Sequence, residues 1–303
     1  MKTPLDRILL QIKERNPDHY TKLDENMKVH DQEFYERANL FLEKYEDHLT
    51  RIKKDLSFGV DCYLKLIDDM LAARLDFIRT GAYANSSFAE VEASIYARPE
   101  VMTYHMHGLV LAQFLWFDQY ERILFFSNKL KSYLSEGTVP SYLEVGGGHG
   151  LYLYEALKLL PAETKFEMID ISESSLALAK GVVNNQNVSY YLKNIFDFEA
   201  GQTYDFVTMG ELIEHVEDPL ALLKKAVGLL SEDGVCYMTT PVNAPMIDHI
   251  YLFNDAQEIK DLVNEAGFEI IEDTLVVSEK MELKRAMKRK VPLMYAAFMK
   301  RKK

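Results

Sequence analysis

The sequence predicts an α/β protein in which a sheet of seven strands flanked by helices follows an all-helical segment covering residues 1–136. Three observations carry this expectation. Before residue 137, Gly and Pro are scarce and apolar residues recur at spacings of three and four, the period of helices. After it, short β-rich runs alternate with helical stretches, the rhythm of a parallel sheet covered on both faces. The first of those runs leads directly into a cluster of glycines that opens a helix.

In the helical segment, Phe34, Leu40, Phe41 and Tyr45 form one apolar stripe, and Leu64, Ile67, Leu71, Leu75 and Ile78 form another. The run Thr80–Ser87 breaks the pattern, with Ser87 placed to cap a helix that Arg98-Pro99-Glu100 ends. Roughly 100–135 is apolar nearly all round, which predicts burial on more than one side. Strands are expected at 142–145, 165–170, 188–192, 204–210, 234–240, 268–277 and 292–300, with helices between most of them.

Composition narrows the class. With 303 residues, 48% of them hydrophobic and 27% charged, the chain can bury a sizeable core, which excludes disordered and collagen-like classes. The 35 Lys+Arg against 47 Asp+Glu leave a net charge of −12 that repels polyanions, so no nucleic-acid partner is expected. Residues 280–303 depart from this balance with ten Lys/Arg and one acid, Glu282. They read as a solvated end or as a patch for an acidic partner, a phosphate-bearing substrate or an anionic surface. Cys62 and Cys236 lie far apart in apolar runs, which suggests buried thiols in a reducing compartment. The first twenty residues mix acids and bases, and no apolar run reaches membrane-spanning length, so the expected location is the cytoplasm, with no membrane span.

The chemistry concentrates in Tyr142-Leu143-Glu144-Val145-Gly146-Gly147-Gly148-His149-Gly150-Leu151. Glycines at a strand end let a ligand approach bare backbone at the carboxyl edge of the sheet. Asp170 ends the next strand, where its carboxylate can accept from both hydroxyls of a ribose. A dinucleotide fingerprint would need its third glycine at position 151, which is Leu, and Glu144 would repel a pyrophosphate while suiting a cationic ligand.

In these residues the chain resembles the class I S-adenosylmethionine-dependent methyltransferases over about 139–303. The resemblance implies a Rossmann-like seven-stranded sheet in a 137–303 domain that binds S-adenosyl-L-methionine. It also implies cofactor residues Glu144, Gly146, Gly148, Gly150, Asp170, Ile171, Asn194, Ile195, Met209 and Glu211. Asn194 stands where the family usually has an Asp for the adenine amine, and its side-chain carbonyl can still accept. The segment Glu211-Leu212-Ile213-Glu214-His215-Val216-Glu217-Asp218-Pro219 is similar to the E-x-x-E-H-V-x-D-P stretch of ubiquinone-biosynthesis O-methyltransferases.

Glu211, Glu214 and His215, at i, i+3 and i+4, would share one face of a helical turn. Three readings stay open for them: a divalent metal site, as members of that family have been assigned; His215 as a general base; or structure alone. Asp248 and His249, in the loop after strand five, overhang the same crevice and are further base candidates or makers of a structural hydrogen bond. The expected function is methyl transfer to oxygen, nitrogen or carbon of a small-molecule acceptor in biosynthesis. The alternatives are a carrier-bound or macromolecular acceptor docking on 280–303, a binding or regulatory protein that uses the methyl donor only as a structural ligand, and an NAD-dependent oxidoreductase. Tyr104, His105, His107, Trp116, Asp118 and Tyr120 would encode acceptor identity or be plain core. The helices before them would form a lid or a homodimer surface.

Overall fold

The computed structural model describes residues 2–134 and 139–303, so the boundary expected at 136/137 lies outside the described residues. Local capping chemistry sets the first helices. Thr3 opens α1 (Pro4–Arg15) through a reciprocal box with Asp6. Asn16, Asp31 and Asp55 accept the backbone N–H groups that begin α2 (Pro17–Met27), α3 (Gln32–Arg51) and α4 (Leu56–Thr80). Ser87 caps α5 (Phe88–Val91), which continues as a wide turn over Glu92–Tyr96. The apolar stretch after it is two helices, α6 (Pro99–Leu115) and α7 (Phe117–Lys129), because the backbone of Trp116 is extended.

Two expected stripes are partly out of phase with the core. In α3 the buried positions are Phe34, Ala38, Phe41, Leu42, Tyr45, His48 and Leu49, and Leu40 faces solvent. In α4 the first half is buried through Val60, Tyr63, Leu66 and Ile67, whereas Leu71, Leu75 and Ile78 are 52%, 70% and 64% exposed. The second half of this helix overhangs a cavity that Met70, Leu71 and Arg74 help to line.

The remaining elements are β1 (Ser141–Val145), α8 (Leu151–Leu159), β2 (Lys165–Asp170), α9 (Glu173–Val183), β3 (Val188–Leu192), β4 (Tyr204–Gly210), α10 (Pro219–Leu229), β5 (Leu230–Val242), α11 (Ala256–Glu265), β6 (Phe268–Val277), α12 (Leu283–Lys288) and β7 (Leu293–Arg301). The strands form one sheet in the order β3-β2-β1-β4-β5-β7-β6. This corrects the all-parallel expectation: β7 runs antiparallel between β5 and β6. Only α12 lies between β6 and β7, and the chain folds back beside the strand it has just left. Strand order reverses between β1 and β4, the switch point outside which a ligand crevice opens. No helix among the described residues is long and apolar enough to cross a membrane.

One apolar cluster runs from Phe34 and Phe41 through Val110, Phe114 and Phe126 to Leu178, Phe166, Phe206 and Phe298, so the helical segment and one sheet face share a core. Gly181 shows how closely they meet: a Cβ there would lie 2.0 Å from Nδ1 of His48 on α3. Gly→Ala in a helix ordinarily gains about 1 kcal/mol. Gly181→Ala is instead expected to destabilise by about 1–3 kcal/mol, because the overpacking outweighs that gain. Gly228→Ala in α10, where a Cβ meets nothing within 4 Å, should stabilise. Urea midpoints of the two variants check the contrast; equal shifts would mean that His48 moves aside freely.

Candidate active site

The loops after β1, β2, β4 and β5 open into one cavity of about 700 Å³, roofed by residues of α2, α4, α5, α6 and α7. The loop after β1 is shaped by backbone that only glycine adopts easily: φ is +65° at Gly146, +52° at Gly148 and +73° at Gly150. A Cβ on Gly147 would lie 2.7 Å from Glu144 Oε1, so the loop rests directly on that carboxyl. Glu144 is buried, accepts from the Tyr142 hydroxyl at 3.2 Å, and is pushed up by desolvation to about 8. Asp170 accepts from the backbone N–H of Gly148 at 3.2 Å and of Ser172 at 2.8 Å. These contacts tie the two loops together and aim the carboxylate along the cavity wall.

Of the expected cofactor residues, Glu144, Gly146, Gly148, Asp170, Ile171, Asn194, Ile195 and Glu211 line the cavity. Two do not. Gly150 packs against α9, where a Cβ would meet Val183 and Ala179 at 3.0 and 3.1 Å. Met209 is fully buried in the apolar layer on the other face of the sheet. Asn194 spends its side-chain oxygen on the N–H of Phe196 at 3.0 Å, capping the short turn Ile195–Asp197.

The expected convergence of Glu211 with Glu214 and His215 does not form. Glu211 has φ +52°, which turns it out of the short helical turn Ile213–His215. Its carboxylate instead accepts from Thr239 Oγ1 at 2.9 Å and from Arg122 of α7. His249 takes its place: Glu214, His215 and His249 each offer a ligand atom, all within 4.8 Å of one another. The ring of His215 lies 4.8 Å from that of His249 and nearly perpendicular to it.

Hydrogen bonds fix which ring atoms face inward. His249 Nδ1 is 2.7 Å from the Ala244 carbonyl, and His215 Nδ1 is 3.0 Å from the Asp248 carbonyl and 3.0 Å from the Tyr96 hydroxyl. A carbonyl can only accept, so Nδ1 keeps the proton in each neutral ring and Nε2 holds the lone pair. Both Nε2 atoms approach Glu214 Oε1, at 3.8 Å from His215 and 4.0 Å from His249. That oxygen is buried with no hydrogen-bond partner, while Oε2 accepts from Thr240 at 2.9 Å. Three lone pairs therefore converge on one gap, and burial together with the charge of Glu211 raises the Glu214 carboxyl well above its usual range. Burial and the neighbouring His215 push His249 down to about 3. Asp248 Oδ2 sits 3.5 Å from His215 Nδ1 and 3.4 Å from His105 Nε2. Burial works against its charge, but these two imidazoles hold the carboxyl below its ordinary range.

Arg122 was not singled out by the sequence. It is fully buried, and two guanidinium nitrogens, Nε and Nη2, have no partner. Burial opposes its charge, yet Glu211 and Asp118 more than offset this and raise its pKa. Asp118 on the same helix lines the cavity and is pushed up by desolvation to about 6 against the pull of Arg122. His149 in the glycine loop is pushed down to about 4 by burial and by Arg122, and its Nδ1 accepts from the N–H of Leu151 at 3.2 Å. The signal available in the sequence was a single arginine inside an otherwise aromatic, all-round buried stretch.

A family model described as a methyltransferase domain matches residues 114–273. The ubiquinone biosynthesis O-methyltransferase of Xanthomonas campestris pv. campestris is 33% identical over 107 residues, 34% of this chain and 44% of that protein. The malonyl-[acyl-carrier protein] O-methyltransferase of Bacillus anthracis is 29% identical over 125 residues, 41% of this chain and 46% of that one. The aligned regions thus span less than half the length of these curated relatives. Among solved structures, phosphoethanolamine N-methyltransferase 2 of Haemonchus contortus with S-adenosyl-L-methionine superposes with a TM-score of 0.52 at 13% identity, over 73% of this chain and 61% of that one. At that identity the likeness concerns the fold.

Proposed function

The chain belongs to the methyltransferase-domain family, and from that premise we propose that it transfers the methyl group of S-adenosylmethionine to a small, mainly apolar acceptor. The observation that carries this reading is Asp170, held by two loop N–H groups at the carboxyl edge of β2, in a cavity that runs on to His215, Asp248 and His249. Asp170 would accept from the ribose hydroxyls, and Ile171, Asn194 and Ile195 would bound the adenine. Arg122 lies behind the cavity wall and would hold Glu211, which lines the cavity, in place.

Attack on a sulfonium methyl is in line and needs alignment and exclusion of water more than acid–base help. For a hydroxyl acceptor, His215 Nε2 takes the proton while Asp248 steadies Nδ1 and His105 supports Asp248. A finer second reading adds a divalent ion at Glu214 Oε1, His215 Nε2 and His249 Nε2. It is favoured by the lone pairs converging on the unpartnered Glu214 Oε1, and two imidazoles with a carboxylate suit a borderline metal. Such an ion would supply Lewis-acid stabilisation of an acceptor oxygen.

Asp170→Ala should weaken donor binding by more than about 1.5 kcal/mol, a tenfold loss, because charge-assisted hydrogen bonds vanish. Burial pushes Asp170 up to about 6, with the N–H groups of Ser172, Gly148 and Ile171 opposing. Wild-type affinity should therefore fall as pH drops through about 6, where the carboxyl gains a proton. Calorimetry with S-adenosylhomocysteine reads both. Unchanged affinity in Asp170→Ala would show that the ribose lies elsewhere.

A further inference from the structure

The basic run at 280–303 is divided by the fold. Four of its ten cations lie at the far end of β7, where Lys300 pairs with Glu269 and Arg301 donates to the carbonyls of Val227 and Leu230. The other six, Lys280, Lys284, Arg285, Lys288, Arg289 and Lys290, lie on or beside α12, before β7 begins at the carboxyl end of β5. The only acid among residues 280–290 is Glu282. α12 also leaves Leu283 and Met287, one turn apart, 44% and 45% exposed.

The overhanging half of α4 adjoins this cluster. Leu71, Arg74, Leu75 and Ile78 follow one helical stripe. Arg74 Nη2 donates to the Arg289 carbonyl at 3.2 Å, and Lys290 Nζ lies 5.2 Å from the centre of the Phe77 ring. Leu71 and Arg74 line the cavity, as do Ser278 and Glu279 just before the basic cluster. Five half-exposed aliphatic side chains and a set of cations therefore sit together beside the cavity. Of the acids beside this face, Asp76 pairs with Arg79 at 2.9 Å, Glu279 and Glu282 flank the cations in sequence, and Asp68 precedes Leu71 on α4. Lys280 donates to the Glu25 carbonyl at 3.3 Å.

We propose that this face docks on an anionic lipid bilayer. Leu71, Leu75, Ile78, Leu283 and Met287 enter the boundary between headgroups and acyl chains, and the six cations hold the lipid phosphates. Protruding aliphatic side chains among cations are the pattern of peripheral membrane binding. The net charge of −12 opposes an anionic membrane over the chain as a whole, which favours approach by this cation-rich face. A second copy of the chain is disfavoured, because a two-fold contact would set one cation cluster against another. An acidic protein would satisfy the charges, but it would have to match five separate apolar projections that a fluid bilayer accepts without matching. The consequence is that the cavity faces the interface, where an apolar acceptor can enter without crossing water. The inference goes beyond the proposed methyl transfer and does not depend on the acceptor's identity.

The test is vesicle flotation with phosphatidylcholine alone and with phosphatidylglycerol added. The protein should partition onto the anionic vesicles at least about tenfold more strongly and be released by salt. Leu75→Asp/Ile78→Asp, both outside the cavity lining, should lose at least about tenfold of that binding while keeping donor affinity in calorimetry. Equal partition onto neutral and anionic vesicles, or full vesicle binding by the double variant, would overturn the proposal. So would a dimer in sedimentation velocity that the double variant dissolves, which assigns the face to a second copy. A retained preference for an acidic protein with no vesicle binding would overturn it as well. Donor affinity is read separately, so failure here leaves the proposed methyl transfer standing.

Discussion

Arg122→Ala is expected to lower the unfolding free energy by about 3 kcal/mol and to weaken donor binding through Glu211, which it holds at the cavity wall. Removing one partner of a buried ion pair typically costs about 3–5 kcal/mol, because the remaining charge stays buried without compensation. The lower end applies here. The Arg122 side chain is fully buried, but that of Glu211 keeps 27% exposure and can recruit water. Arg122 also anchors more than its carboxylate, since its carbonyl accepts from the Tyr237 hydroxyl at 2.8 Å and fixes α7 against β5; that backbone contact survives in the variant. Arg122→Met combined with Glu211→Gln should recover a large part of the stability, because no lone charge remains, yet should leave donor binding impaired. Urea denaturation with calorimetry separates the two effects. A loss below about 1 kcal/mol would mean that the pair is solvated and worth no more than a surface salt bridge.

Legibility in the sequence followed the range of the interactions. The strands, the glycine loop and Asp170 were readable because each is a local statement: apolar runs of strand length, and glycines where the chain needs positive φ at positions 146, 148 and 150. The antiparallel β7 was not, because strand direction depends on where the preceding chain docks and not on the composition of 292–300. Leu71, Leu75 and Ile78 continued a helical stripe, but periodicity reports a face and cannot say whether anything covers it. Glu211 was misplaced for a related reason. Spacing of three and four converges only on a continuous helix, and its φ of +52° breaks the register.

Glu144 shows a subtler limit. Its position ahead of the glycines suggested a free negative charge selecting a cationic ligand. Burial against Tyr142 and Gly147 pushes the carboxyl to about 8, so it is largely protonated at neutral pH until a cation arrives. The preference for a cation then acts as a linkage: a bound sulfonium or ammonium would favour loss of that proton. Sequence spacing located the group, whereas its charge state depended on packing that spacing does not encode.

His215→Ala is expected to reduce turnover of a hydroxyl acceptor by about 10²–10⁴-fold, the range for loss of a positioned general base, while donor affinity stays near wild type. Of the two histidines, His215 is the one that a carboxylate supports. His249 is held neutral with a weakly basic lone pair, and its Nδ1 is committed to the Ala244 carbonyl, whereas His215 lies against the Asp248 carboxylate. Asp248→Asn should give a smaller loss, because the amide keeps the shape but no longer stabilises the protonated ring. The measurement is conversion of S-adenosylmethionine to S-adenosylhomocysteine with a set of phenolic acceptors, together with bound-metal content by mass spectrometry. With His215 acting as a base alone, His249→Ala should retain most activity, and dialysis against a chelator should change nothing. If the ion site is the working arrangement, His215→Ala, His249→Ala and Glu214→Gln should all lose bound metal together, since their ligand atoms meet at one gap. Full activity in His215→Ala would remove both roles, because each requires the same Nε2 atom at the point where the carboxylate of Glu214 is left without a partner.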